Sequence, residues 1–242
     1  MKSVKFRMIA IALLSATMPF TAKAQDKVEA SVGADFVSNY IWRGTDCGGV
    51  SIQPSMGVSY KGLSLAAWGS VGIDKEDARE IDLTLGYNTG GFNVSVTDYW
   101  FSYHKEDGGY TGDYFKYGAH STIHIFEATL GYDFGPLALS WNTYFAGDDY
   151  TKENGDRAYS TYVGISAPFK LGGLDWSAEV GLTPWEGAYA NKFNVTNLTL
   201  KAEKEIKFTN SFSLPTFAQV TFNPHTQGAY LSLIHISEPT RH

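Results

Sequence analysis

From Val28 onward, apolar and polar residues alternate with a period of two, and the 3.6-residue period of an amphipathic helix hardly occurs. The stretch IHIFEATLGYDF, Ile123 to Phe134, is the clearest case. One face carries Phe126, Ala128, Leu130, Tyr132 and Phe134, and the other Glu127, Thr129, Gly131 and Asp133. Leu174 to Leu182 and Tyr159 to Ala167 repeat the pattern. Read this way, the chain predicts eleven strands near 28–42, 50–60, 63–74, 79–88, 92–103, 121–134, 137–146, 157–169, 174–183, 194–208 and 212–222.

The connections alternate too. Tight Gly- or Asn-rich turns at Lys61-Gly62, Thr89-Gly90-Gly91, Gly135-Pro136, Gly172-Gly173 and Thr209-Asn210 are interleaved with longer polar loops. Those loops are Gly44 to Gly49, Lys75 to Ala78, His104 to His120, Gly147 to Asp156 and Pro184 to Lys192. A soluble sandwich has no reason to sort its loops by length. An outer-membrane barrel does, with short turns inside and long loops outside. The pattern therefore predicts an all-β, antiparallel, up-and-down transmembrane β-barrel. Aromatic residues crowd next to the long loops, at Tyr40, Trp42, Trp100, Tyr103 and Trp185, and next to the short turns, as at Trp176. These six are expected to ring the membrane interface, where an amphipathic ring is stable.

Eleven strands leave an edge, and a bacterial barrel closes with an even number. A twelfth strand is expected to begin near Gly228. The residues beyond that point read poorly as one, with Glu238-Pro239 where a strand would continue and His242 at the end. Leu231 to Arg241, LSLIHISEPTR, resembles the translation of a sequencing-library adapter. The expectation is a barrel over 25–230, its last strand cut short, with a non-native tail over 231–242.

At the other end, Lys2, Lys5 and Arg7 precede an apolar run from Met8 to Phe20 and the small-residue pattern Ala22-Lys23-Ala24. This is the form of a cleaved secretory signal over 1–24, with Gln25 as the mature start. Its removal moves the formal charge from −6 to −10, which argues against nucleic acid as a partner. The single cysteine, Cys47, excludes a disulfide framework.

No catalytic constellation emerges. His124 is the only histidine within an expected strand, and its parity sets it on the lipid side with Phe126. Thr122 and Phe126 flank it on that face, so no serine lies within reach of it as a base. Acidic loops, GDDYTKENGDR (Gly147 to Arg157) and Glu106-Asp107 with Asp113, lack the spacing of a calcium loop and read as solvated. Neither an enzyme, a metal site nor a cofactor is expected.

The inward register carries the charge: Asp35, Glu80, Asp82, Glu127, Asp175, Glu179, Glu203 and Glu205, with Lys201 and Lys207. Facing lipid these would cost several kcal/mol each, so they are expected to line a lumen. Two arrangements remain open: a narrow pore whose carboxylates favour cations, or a self-satisfied network that fills a small barrel.

Ser31 to Ser70 resembles the start of the TorF-type family of small outer-membrane porins, through Trp42-Arg43-Gly44, Gln53-Pro54 and Trp68-Gly69-Ser70. The resemblance covers about the first fifth of the mature chain. It implies an outer-membrane barrel of porin type and supplies no substrate. Together these readings predict a passive channel for ions or small solutes in contact with outer-membrane lipid. A non-conducting structural or adhesive barrel that acts through its external loops is the alternative, and a homo-oligomer stays open.

Overall fold

The structure is a computed structural model that describes residues 27–106, 109–119, 121–209 and 213–237. The expected signal segment, over 1–24, and Glu238 to His242 lie outside the described residues, as do Asp107, His120 and Asn210. The described chain forms β1 (Glu29–Val37), β2 (Tyr40–Trp42), β3 (Thr45–Gly48), β4 (Ser51–Tyr60), β5 (Leu63–Gly72), β6 (Arg79–Thr89) and β7 (Phe92–Ser102). The second half forms β8 (Ile125–Asp133), β9 (Ala138–Gly147), β10 (Thr161–Leu171), β11 (Leu174–Thr183), β12 (Asn194–Lys207), β13 (Ser213–Asn223) and β14 (Gly228–Ser237).

Twelve of these strands pair antiparallel with their sequence neighbours, and β1 pairs with both β4 and β14 to close the ring. β2 and β3 form a separate two-stranded hairpin. The short turns gather at one end of the barrel and the long loops at the other. At Lys61-Gly62 both residues have φ > 0 (48° and 87°), the backbone that a two-residue hairpin turn requires.

Three sequence expectations change. First, the closing strand is present. β14 runs through Leu231 to Ser237, residues expected to form a tail, because Leu231 and Leu233 point outward while Ser232 is buried inward. Second, β1 stops at Val37, so the expected strand 28–42 is a strand plus the first arm of the hairpin. Third, β8 begins at Ile125, which leaves His124 just before the strand.

Period two sorts the wall into two surfaces. Outward positions are apolar and exposed, among them Val58, Leu65, Leu85, Val96, Leu130, Val180, Leu200 and Phe222. Inward positions are polar and buried, among them Gln53, Ser70, Thr97, Thr129, Asn142 and Thr221. The buried apolar cluster therefore does not lie between layers. It sits inside the barrel, where Val37, Tyr40 and Trp68 pack with Trp42 and Cys47.

Candidate functional site: a hairpin folded into the lumen

After Val37 the chain leaves the wall and turns inward. Ser38 N–H donates to Leu233 O (2.9 Å), Leu233 N–H donates to Ser38 Oγ (2.9 Å), and the Ser232 hydroxyl donates to Asn39 O (2.6 Å). These bonds satisfy the backbone at the point where the ladder of β1 ends. Trp42 pairs with Thr45, so Arg43 and Gly44 form a two-residue turn, with φ of 48° and 81°. Gly44 is required twice over: for that backbone, and because a Cβ there would fall 1.9 Å from Thr196 O.

The hairpin reaches across the lumen. Tyr40 packs on Trp68 of β5 at 5.5 Å between ring centroids, and Trp42 packs on Tyr99 of β7 at 5.8 Å. Asn223 of β13 donates through Nδ2 to Gly44 O at 3.0 Å, and the turn abuts β12 at Thr196. At the other arm Gly49 N–H donates to Asp77 Oδ1 (3.4 Å).

Arg43 is the centre of this packing, 8% exposed. Its guanidinium forms a bidentate pair with Glu127, Nη1 to Oε2 at 2.5 Å and Nη2 to Oε1 at 2.9 Å, and Nη1 also donates to the Tyr189 hydroxyl at 2.6 Å. The Tyr99 hydroxyl donates to Glu127 Oε1 (3.0 Å), and the Tyr189 hydroxyl donates to that of Tyr144 (3.2 Å). The guanidinium lies among rings, 4.4 Å from the Trp42 centroid and 4.8 Å from that of Tyr162. Burial alone works against the charge of Arg43. Glu127, Tyr189 and Tyr99 together more than offset it and hold the guanidinium pKa well above its ordinary value. Beside it a second group is satisfied internally: the Tyr162 hydroxyl donates to Glu179 Oε1 (2.5 Å), and Asn197 Nδ2 donates to both (2.9 and 3.0 Å).

The charged lumen candidates, Lys207 at the end of β12 among them, stand at inward positions, but they separate into two groups. Glu80, Asp82, Glu127 and Glu179 lie in the layer that the hairpin fills, near the loop end. Among the described residues no cation pairs with Glu80 or Asp82, and Asp82 Oδ1 has no hydrogen-bond partner. The others belong to the wetter remainder of the wall. Lys201 pairs with Glu203 (2.6 Å) and its charge reaches Asp35, Asp175 pairs with Lys170, and Glu205 accepts from the Ser213 hydroxyl. Inward positions on the same half of the wall also carry small residues such as Gly57, Ser64, Gly86 and Gly131, and the ring of Phe217 lies under the Lys201 ammonium, 4.1 Å from its centroid.

Of the six aromatics expected at the interface, Tyr103 is exposed just past the end of β7, at the parity of the inward Tyr99 and not of the lipid face. Trp176 stacks on Phe169 at 6.0 Å, Trp185 packs on Trp141 at 5.9 Å and Trp100 faces outward beside Tyr114 at 5.4 Å, so these three are on the outside. Tyr40 and Trp42 are not. They are inside the barrel, because the chain departs from the wall at Ser38 and strand parity no longer governs the residues beyond it. The reading of Gly44 to Gly49 as an external loop fails for the same reason. At the centre of the site, Arg43 stands in the sequence only as part of Trp42-Arg43-Gly44, with no role assigned, and Tyr189 lies within the loop Pro184 to Lys192 with no pattern to mark it.

The three motif pieces noted in Ser31 to Ser70 meet here. Trp42-Arg43-Gly44 is the hairpin tip, Trp68 is its seat, and Gln53 Nε2 donates to Ser70 Oγ (3.4 Å) on the wall around it. His124 is fully buried on the outside of the wall, where Nδ1 meets Asp98 Oδ1 (2.6 Å) and Nε2 meets Tyr114 O (2.7 Å). In the acidic loop, Asp149 accepts from the backbone N–H of Ser160 (3.2 Å) and Asp156 from Asn154 (2.8 Å), so these carboxylates hold the loop's own fold. Neither a protein-family model nor a curated protein matches the chain.

Proposed function

We propose that the protein is an exported outer-membrane barrel: a narrow channel for ions or small solutes that the Tyr40 to Gly48 hairpin holds closed. The observation that carries this reading is the two-part lumen. One half is lined mainly by polar and charged side chains, with the ring of Phe217 beside Lys201, and the other is filled by a hairpin whose contacts run from β5 round to β13. Outside, the continuous exposed apolar surface of the strands suits lipid and not water. The resemblance of Ser31 to Ser70 to TorF-type porins supports the same class. Passage requires the hairpin to move, and the uncompensated Glu80 and Asp82 beside it favour cations once it does.

The alternative, a non-conducting barrel that acts through its loops, is favoured by one observation, the bidentate burial of Arg43 on Glu127. Planar-bilayer recording under a salt gradient separates the two. The intact chain is expected to be closed for most of the record. A variant in which Asn39 to Gly49 is replaced by a short Gly-Ser link is expected to show long, cation-selective openings. Steady openings of the intact chain would refute closure by the hairpin. A folded hairpin-less variant that never conducts would move the function to the external loops.

A further inference from the structure

Among the described residues of the loop between β7 and β8, the segment Tyr114 to Tyr117 lies along the outside of the wall. Tyr114 packs on Trp100 (5.4 Å) and on His124 (5.3 Å), while Tyr117 lies on His124 (4.3 Å) and beside Phe126 (6.4 Å). The Tyr117 hydroxyl also donates to Asp98 Oδ2 (3.3 Å). Trp100, Asp98 and Phe126 all point outward, since their strand neighbours Tyr99 and Glu127 are buried in the lumen.

Asp98 is a carboxylate on an outward face whose next position toward the turn end is the exposed Val96. In water it would need no cover. Against hydrocarbon an unpaired polar group costs several kcal/mol. Here it has one: His124 and Tyr117 take both carboxylate oxygens, and Tyr114 O takes the other ring nitrogen. The arrangement suits a wall that meets lipid at this height. On the far side of the cover, Phe115 is 88% exposed with its ring edge-on to Tyr114 (5.1 Å), and Lys116 beside it is exposed as well. An aromatic-lysine run with this exposure has the form of an interfacial anchor, with the ring in the acyl boundary and the ammonium reaching back to the headgroups. The exposed apolar surface of β7 and β8, at Val96 and Leu130, is continuous with it.

We propose that Tyr114 to Tyr117 is seated in the outer leaflet of the membrane against the barrel wall, with Phe115 as the inserted side chain and bilayer lipid as its partner. The inference rests on the outer-membrane reading given under Proposed function.

Two single-cysteine forms of the full chain test it, Phe115→Cys and Leu130→Cys in a Cys47→Ser background. Each is labelled with an environment-sensitive fluorophore and folded into phosphatidylcholine vesicles with or without lipids spin-labelled high on the acyl chain. Both labels are expected to emit at apolar wavelengths, to lose about half their intensity to the spin-labelled lipid and to resist aqueous iodide. Adding His124→Ala to the Phe115→Cys form is expected to move that label into water, because the seat is lost. A label at 115 that iodide quenches, while the label at 130 stays in lipid, would overturn the inference alone. Both labels in water would overturn it together with the membrane reading. Label-to-label quenching at 115 that rises with protein-to-lipid ratio would assign the surface to a second copy of the chain and overturn it as well. Lys116→Cys serves as a second reporter should Phe115→Cys fold poorly, with the same results expected.

Discussion

A buried ion pair is weak evidence for stability and strong evidence for mutual dependence. Arg43 and Glu127, at 8% and 1% exposure, have been taken out of water together, and each is what makes the other tolerable. Glu127→Ala leaves a guanidinium with no counter-charge in the lumen, and about 3–5 kcal/mol of unfolding free energy is expected to be lost. Arg43→Met should cost a similar amount by stranding the carboxylate. The double variant Arg43→Met with Glu127→Leu is expected to recover much of either loss. Urea unfolding of the folded barrel in detergent measures all three; additive losses would show that the pair is not coupled. Cys47 gives a second residue-scale reading. It lies on the in-folded hairpin, where burial first and then the carboxylates of Glu80 and Asp46 push its thiol up to about 12. The thiolate is the reactive form, and an ordinary cysteine has a pKa near 8.5. At pH 8 maleimide labelling of Cys47 is expected to run roughly a thousandfold slower in the folded barrel than in urea. Equal rates would place the hairpin outside the lumen.

At the scale of elements, what period two can report was legible and what it cannot report was not. β4 to β13 lie where alternation and turn residues place them, because each of those strands has one polar and one apolar face and a Gly or Asn at its turn. The hairpin was missed because Tyr40, Ile41 and Trp42 continue the apolar crowding of β1, and nothing in a pattern of polarity distinguishes an aromatic residue at a lipid interface from one inside a barrel. The in-folding depends on contacts distant in sequence: Ser38 with Leu233, Gly44 with Asn223, Arg43 with Glu127. β14 begins at Gly228, where a twelfth strand is expected, and differs only in its length. The Leu231-Ser232-Leu233 alternation carries it past Tyr230, into residues that resemble an adapter and whose Glu238-Pro239 reads poorly as a strand. Among the lumen charges, parity alone identified the inward set, and it had no means to separate those packed on the hairpin from those along the wetter wall. If the hairpin is a static closure, its amides exchange as slowly as those of the wall. In hydrogen exchange of the intact chain, peptides covering Tyr40 to Gly48 are expected to be protected like those of β5 and β8. Gly44→Ala, whose Cβ would meet Thr196 O at 1.9 Å, is expected to speed exchange in that hairpin by tenfold or more and leave β8 unchanged. Fast exchange in the unaltered hairpin would argue for a lumen that opens readily.

The whole molecule turns a small-protein arrangement inside out. Its buried apolar cluster is a few residues in the lumen, and its largest apolar surface faces outward. In water that balance is poor, since burying apolar area is the main force that holds a fold together. In a bilayer it is what a closed strand ring requires, because all backbone groups pair along the wall and none need face hydrocarbon. Among the described residues β1 and β14 meet over Ala34 to Val37, and β1 and β4 over Glu29 to Val37. The two solvents make opposite forecasts for one substitution. Leu85 points outward from β6 at 55% exposure. If that face met water, Leu85→Arg would change stability by less than about 0.5 kcal/mol, as exposed substitutions generally do. If it meets the bilayer, arginine is expected to cost about 2–4 kcal/mol at mid-depth. Thr84, its neighbour, points into the lumen and donates or accepts a hydrogen bond with Thr97 at 3.0 Å. Thr84→Arg therefore serves as the control for crowding inside the ring. Folding into vesicles, with the mobility difference between heated and unheated samples in detergent gels as the readout, measures the loss for both. A Leu85→Arg barrel as stable in vesicles as the unaltered chain would remove the lipid from this account and leave a water-soluble barrel with an apolar coat to explain.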